Sequence, residues 1–249
     1  MSGHSKWASI KHKKAVVDAR RGQHFTKLAR AITVAAKEGG GDPEGNAALA
    51  TAVQKARDAS MPKDNIERAI GKGAGTGADG EQLERVLYEG YGPGGAALLI
   101  DAVTDNRNRT GSEVRHLLAK HGGNLGEPGS VAYLFDKQGV IVVSAERYGE
   151  EDLLVAVDAG AQDIARDDDV FEVLCEPADL TAVRAALEAA EVEIEAAEVT
   201  QRPKLTVPVA DEEAVRLLRL VDALEESEDV DAVHANFDVS ADVLERVAG

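Results

Sequence analysis

Residues 140–199 read VIVVSAERYGEEDLLVAVDAGAQDIARDDDVFEVLCEPADLTAVRAALEAAEVEIEAAEV, and the order of signals in this stretch decides the fold. Val140–Ser144 alternates like a strand, and Glu151–Ala159 has helical character. Gln162–Arg166 and Val170–Cys175 are two further strands, Asp179–Ala189 a second helix, and Val192–Val199 a last strand. Strand, helix, strand, strand, helix, strand is the ferredoxin-like order, in which both helices cover one face of an antiparallel sheet.

Working outward, Val86–Glu89, Ala96–Val103 and Val131–Phe135 look extended, and Val114, Leu117, Leu118 and His121 mark a helix stopped by Gly122. This β-β-α-β half lacks a helix and a strand. Both lie beyond the ferredoxin-like stretch: a helix capped by Asp211 with Leu217, Leu220, Val221 and Leu224 on one face, then a strand over Val230–Phe237. The pattern predicts a discontinuous α/β domain over 81–138 and 203–249, with the ferredoxin-like domain of residues 139–202 inserted in it. Pro203 and Pro208 suit the return crossing.

Toward the amino end, Gly71–Gly80 is too glycine-rich for regular structure and reads as a linker. Before it, Phe25, Leu28, Ala29, Ile32 and Ala36 fall at helical spacing up to Gly39-Gly40-Gly41. Asp42 and Pro43 are placed to open a second helix carrying Leu49, Val53 and Ala56, and a third runs from Pro62 to Gly71. Residues 1–80 thus form a basic three-helix domain plus linker, and the whole is an α+β multi-domain protein.

Charge is divided between the ends of the chain. Residues 1–30 hold 8 Lys and Arg against Asp18 alone, and residues 31–72 balance at 6 and 6. Residues 73–249 carry 14 bases and 38 acids, so a head of +7 is joined to a body of −24 within a net charge of −17. Such a head is drawn to phosphates, and the acidic body orients the approach. Lys6, Lys11, His12, Lys13 and Lys14 surround Trp7, the only tryptophan, which places an indole face among cations as unpaired bases require. Arg20, Arg21, Lys27 and Arg30 extend the candidate surface along the first helix, with Lys27 and Arg30 on one side of it. Lys63, Asn65 and Arg68 in the third helix, Lys72 just past it, and Arg107 and Arg109 in the 104–110 loop are secondary contacts. For that loop, phosphate and an acidic neighbour are equal alternatives.

Other chemistries find little support. No nucleophile–base spacing and no acid–base pair emerges, so no catalytic residue and no cofactor is assigned. Gly75-Thr76-Gly77-Ala78-Asp79-Gly80 matches a dinucleotide fingerprint in letters but follows a helix rather than a strand. The six histidines lack metal-binding spacing, and Asp167-Asp168-Asp169 reads as a solvated turn. Cys175 is the only cysteine, and its strand setting suggests packing. No signal core and no apolar run of membrane-spanning length occurs, so a cytoplasmic location is expected, with nucleic acid as partner and neither membrane nor small-molecule substrate.

Several long motifs occur in order: Gly3-His4-Ser5-Lys6-Trp7, Met61–Ile70, Tyr88–Gly95, Thr104–Thr110, Gly122–Gly126, Gly129-Ser130-Val131 and Asn236-Phe237-Asp238. Together they closely resemble the YebC/PmpR family nearly end to end. The resemblance implies a helical head followed by two α/β domains. It also implies a DNA-binding regulator of transcription, or, as in relatives that include a mitochondrial translational activator, a ribosome-associated factor that binds ribosomal RNA and helps elongation past consecutive prolines.

Overall fold

Glycine and asparagine shape the helical head. In the computed structural model, which describes residues 18–75, 83–167 and 169–248, α1 spans Asp18–Gly39. It stops where Gly40 takes a left-handed conformation (φ 89°) and donates its N–H to the Ala36 carbonyl at 2.9 Å. The second helix opens later than the sequence suggests. Asp42 Oδ1 accepts from Glu44 N, and the Asp42 carbonyl accepts from Gly45 N, so residues 42–45 close into a turn. Asn46 is the cap instead: its Oδ1 accepts from Leu49 N at 3.1 Å and opens α2, Ala47–Asp58. Its amide nitrogen donates to the carbonyls of Ala35 and Gly40, both at 2.8 Å. One buried side chain thus starts α2 and ties off the end of α1.

Helix α3 covers Lys63–Gly73 and crosses α1 closely, since a Cβ on Gly73 would lie 2.2 Å from the Thr33 carbonyl oxygen. Leu28, Ile32, Leu49, Val53 and Ile66 fill the space between the three helices. Removing a large side chain from such a core costs about 2–5 kcal/mol.

The α/β body begins with an antiparallel hairpin, β1 (Glu84–Tyr91) and β2 (Ala97–Thr104), in register from Glu84 opposite Thr104 to Tyr91 opposite Ala97. The Gly92–Ala96 turn joins them, with Gly94 and Gly95 at φ of 72° and 75°, values open to glycine at no steric cost. Helix α4, Arg107–Lys120, follows. The segment 131–135, read as a strand, instead makes a short 3₁₀ turn at Ala132–Leu134, and the third strand of this sheet is β3, Asn124–Leu125. The cause is Glu89, whose carboxylate takes the N–H groups of Val131 and Ala132 and so removes them from any ladder.

Strands β4 (Phe135–Ser144), β5 (Ala161–Asp167), β6 (Val170–Cys175) and β7 (Ile194–Pro203) form a second sheet in the order β5-β6-β4-β7. This is the ferredoxin-like arrangement. The first expected helix is a 3₁₀ turn at Glu150–Leu153 running into a four-residue α5, Val155–Asp158, and the second is α6, Leu180–Ala189. Ile141, Val143, Leu153, Phe171, Val183 and Leu187 form its core.

The chain then passes through β8, Val207–Pro208, α7, Asp211–Glu226, and β9, Val230–Ala235. The last expected strand breaks at buried Asn236, whose Oδ1 accepts from Ala97 N at 2.7 Å. Past the break, β10 (Phe237–Asp238) pairs in parallel with β8. A closing helix, α8, Ala241–Ala248, has no counterpart in the sequence reading. The first sheet runs β3-β1-β2-β9, and Leu98, Ile100, Val114, Leu118, Leu217 and Val221 join it to α4 and α7.

Two compact units result. One contains the described residues up to Phe135 together with those from Pro203 onward, and the other is Asp136–Arg202. In the first unit the helical head packs with the split α/β body through the buried trio Val34, Leu83 and Val103. The chain leaves and re-enters this unit at one point, where Lys204 N donates to the Leu134 carbonyl at 2.9 Å.

Candidate nucleic-acid interface

Of the ten primary candidates, Lys6, Trp7, Lys11, His12, Lys13 and Lys14 lie outside the described residues. Arg20 and Arg21 sit in the first turn of α1. Lys27 and Arg30 do share one side of α1, but that side faces the α/β body. The Lys27 ammonium donates to the Glu225 carbonyl, and Arg30 Nη1 lies 3.1 Å from the Glu228 carbonyl and 2.8 Å from Asp229 Oδ1. Lys37 continues the row, donating to the Leu83 carbonyl at 3.1 Å. Two of these carbonyls lie at or just past the end of α7, where unpaired peptide oxygens carry partial negative charge and attract cations. The sequence indicated the face correctly and gave no sign of its partner.

Asp229 is the centre of this junction. It is buried, and its Oδ2 accepts from Thr110 Oγ1 at 2.6 Å, Arg109 Nη2 at 2.8 Å and Thr104 Oγ1 at 3.2 Å. Burial pushes its carboxyl upward, yet the Thr110 hydroxyl and the two guanidinium groups overcome that and hold it below the ordinary carboxylate range. Around it Asn106 caps α4 by accepting from Arg109 N at 3.1 Å. Arg109 also meets Asp105 at 2.7 Å, so this arginine settles on acidic neighbours. Arg107 is 3.4 Å from Glu84 Oε1 and remains largely exposed.

Helix α3 presents Lys63 and Arg68 outward, but not alone. Lys63 lies 3.5 Å from Glu67, and Arg68 donates to Asn65 Oδ1 and, at 3.2 Å, to the Asp64 carbonyl. Asp64 and Glu67 thus offset Lys63 and Arg68, and Lys72 adds one positive charge near the helix end. Such solvent-exposed pairs are worth little to stability and can be exchanged for phosphate at small cost.

The sequence reading missed a second organising carboxylate. Glu89 is buried and accepts three backbone N–H groups, from Gly129 at 2.5 Å, Val131 at 2.6 Å and Ala132 at 2.8 Å. Burial opposes its ionisation, but the three donors prevail and hold its carboxyl low. Beside it is an open groove of about 400 Å³ between Leu87, Tyr88, Arg115, Leu125 and Pro128. A glutamate directly after the apolar run Val86-Leu87-Tyr88 was the available signal. Among the described residues no group of three or more His, Cys, Asp or Glu side chains is placed to hold a metal, and no helix is long and apolar enough to cross a membrane. Cys175 is buried, and burial, with Asp179 and Glu176, pushes its thiol up to about 11.

A helical head, a split α/β body and an inserted ferredoxin-like unit together define an architecture found in a family of regulatory proteins. The chain belongs to the TACO1/YebC family: the profile of the TACO1/YebC protein N-terminal domain matches residues 5–76, and that of the TACO1/YebC second and third domain matches residues 83–237. It is 54% identical over the full length of both chains to a protein of Rubrobacter xylanophilus. It is 56% identical, over 99% of this chain and 100% of the other, to one of Acidothermus cellulolyticus. Each of these is named "Probable transcriptional regulatory protein". A crystal structure of a conserved hypothetical protein from Aquifex aeolicus is similar at a TM-score of 0.84 and 50% identity, covering 94% of this chain and 97% of that one.

Proposed function

We propose that this protein is a nucleic-acid-binding regulator of gene expression that grips its target with its amino-terminal segment. The observation that carries the reading is the +7 head on a −24 body. Because Lys27 and Arg30 are occupied at the Asp229 junction, the contact surface centres on Lys6, Trp7, Lys11, His12, Lys13, Lys14, Arg20 and Arg21. Lys63, by trading the Glu67 carboxylate for a phosphate, and Arg68, by trading the Asn65 side-chain and Asp64 backbone oxygens, serve as secondary contacts. Neutralising about five phosphates gives a log–log salt slope near −4 to −5 on duplex DNA. The names of the relatives favour transcription as the setting, for which duplex DNA is the proposed target.

A second reading rests on Trp7. An indole among lysines suits splayed bases in irregular RNA better than a duplex groove, and this favours a ribosome-associated activator that binds ribosomal RNA and relieves stalls at consecutive prolines. A competition separates the two. Labelled protein is loaded on purified ribosomes at about 150 mM salt, where long-range attraction is largely screened, and challenged with excess duplex DNA. Transfer to DNA supports the transcriptional regulator, retention on ribosomes supports the translational one, and failure to bind either overturns both.

A further inference from the structure

The inserted unit carries a surface that its own fold does not require. Residues 153–157 are Leu-Leu-Val-Ala-Val without a polar break. Leu153 and Ala156 turn inward and are fully buried, whereas Leu154, Val155 and Val157 are 55%, 39% and 51% exposed. Half of the six large exposed apolar side chains among the described residues therefore fall within four positions. A surface helix ordinarily turns polar residues to solvent, and branched Val lowers helix propensity. In a helix of four residues both effects favour other side chains here, so local folding does not explain this choice.

The surroundings indicate what covers the patch. Glu150, Glu151 and Asp158 flank it and are exposed, whereas Asp152 is used locally, accepting from Gly149 N at 2.8 Å. The whole unit, residues 136–202, holds 5 Lys and Arg against 18 Asp and Glu, a net charge of −13. An exposed apolar patch rimmed by charge marks an interaction site, and the sign of the rim selects the partner. Nucleic acid and anionic lipid are repelled by this field, while a cationic segment is drawn in and its apolar side chains cover the patch.

We propose that Leu154, Val155 and Val157 form a docking site for a cationic amphipathic segment of a partner protein, with Glu150, Glu151 and Asp158 meeting its Lys and Arg side chains. This site belongs to the inserted unit and the basic head to the other, so the protein carries a nucleic-acid surface and a protein-binding surface of opposite charge.

The test uses the full chain and fluorescence anisotropy at about 150 mM salt, where distant charges are screened. The probes are a labelled amphipathic helical peptide of Leu and Lys, and a Ser and Lys peptide of equal length and charge. The Leu/Lys peptide binds, and the Ser/Lys peptide binds about tenfold more weakly or worse. The double variant L154D/V157D loses about tenfold in affinity for the first peptide, while L205D, at another exposed leucine, does not. Unchanged thermal melts confirm that both variants fold, and unchanged binding of the double variant to duplex DNA and to ribosomes separates this site from the head. Equal binding of the two peptides, or full binding by L154D/V157D, overturns the proposal. So does a concentration-dependent dimer that L154D/V157D abolishes, which assigns the patch to a second copy, or a loss of nucleic-acid binding in that variant, which assigns it to nucleic acid.

Discussion

Arg30 and Asp229 stand 199 residues apart in the chain and 2.8 Å apart in space, and this pair fastens the helical head to the α/β body. Asp229 is almost wholly buried, whereas Arg30 and Arg109 keep part of their surface in water, so the carboxylate bears most of the desolvation. Its removal therefore matters more than that of either arginine.

Asp229→Asn should cost about 3 kcal/mol at pH 7, because two guanidinium groups lose their charge partner and the buried Thr110 hydroxyl loses a strong acceptor. The folded carboxyl titrates below its unfolded value of about 4. Its contribution is thus complete above about pH 4 and is lost as pH falls through the lower folded value. Urea midpoints should differ widely between wild type and variant at pH 7 and converge in strong acid. A constant offset at both pH values would refute this account.

Lysines in the head and arginines at the junction should respond differently to charge reversal. Lys13→Glu with Lys14→Glu should weaken nucleic-acid binding and flatten the salt slope by about two, with an unchanged melting curve. Arg30→Glu should instead lower the melting temperature, since it sets a second carboxylate against Asp229. Titrations at three salt concentrations, with melts of the same samples, distinguish binding from stability. Full affinity in the double lysine variant would move the contact surface elsewhere.

Glu89→Gln keeps the shape but replaces a two-oxygen acceptor by one carbonyl and an amide donor. Three N–H groups then compete for a single oxygen, which should cost about 2 kcal/mol. Hydrogen exchange should quicken first at Val131 and Ala132. Unaltered protection there would mean that the turn is held by something other than the carboxylate.

Asn46 and Asp42 provide a contrast within one loop. Asn46→Ala removes the α2 cap and the bonds to Ala35 and Gly40, with an expected loss of about 2 kcal/mol. Asp42→Ala removes an exposed turn contact and should stay within about 0.5 kcal/mol of wild type. Chemical denaturation of the two variants would reverse their order if Asp42 were the true cap.

Periodicity made the main elements readable in advance. Leu28, Ile32, Leu49 and Val53 are buried as their spacing indicates, and the strand and helix order of residues 140–199 led directly to the ferredoxin-like sheet. What escaped depends on single polar side chains with distant partners. Glu89 captures the 129–132 backbone, Asn46 moves the start of α2, and Asn236 interrupts the last strand. Asp229 follows Glu225, Glu226 and Glu228, so nothing local distinguished it from solvated acids. For the same reason Lys27 and Arg30 read as phosphate contacts: a sequence displays their charge and spacing but not the carbonyls and carboxylate across from them.

The bond between Leu134 and Lys204 bears on the order of assembly. Closing a flexible loop of the 67 residues between Phe135 and Pro203 costs about 4 kcal/mol in chain entropy. A ferredoxin-like unit that folds first meets this cost within its own sheet, because the entering strand β4 and the leaving strand β7 are neighbours. The insertion then acts as an internal template, delivering α7 and β9, with Asp229 between them, to a half-built body that needs them to complete its core.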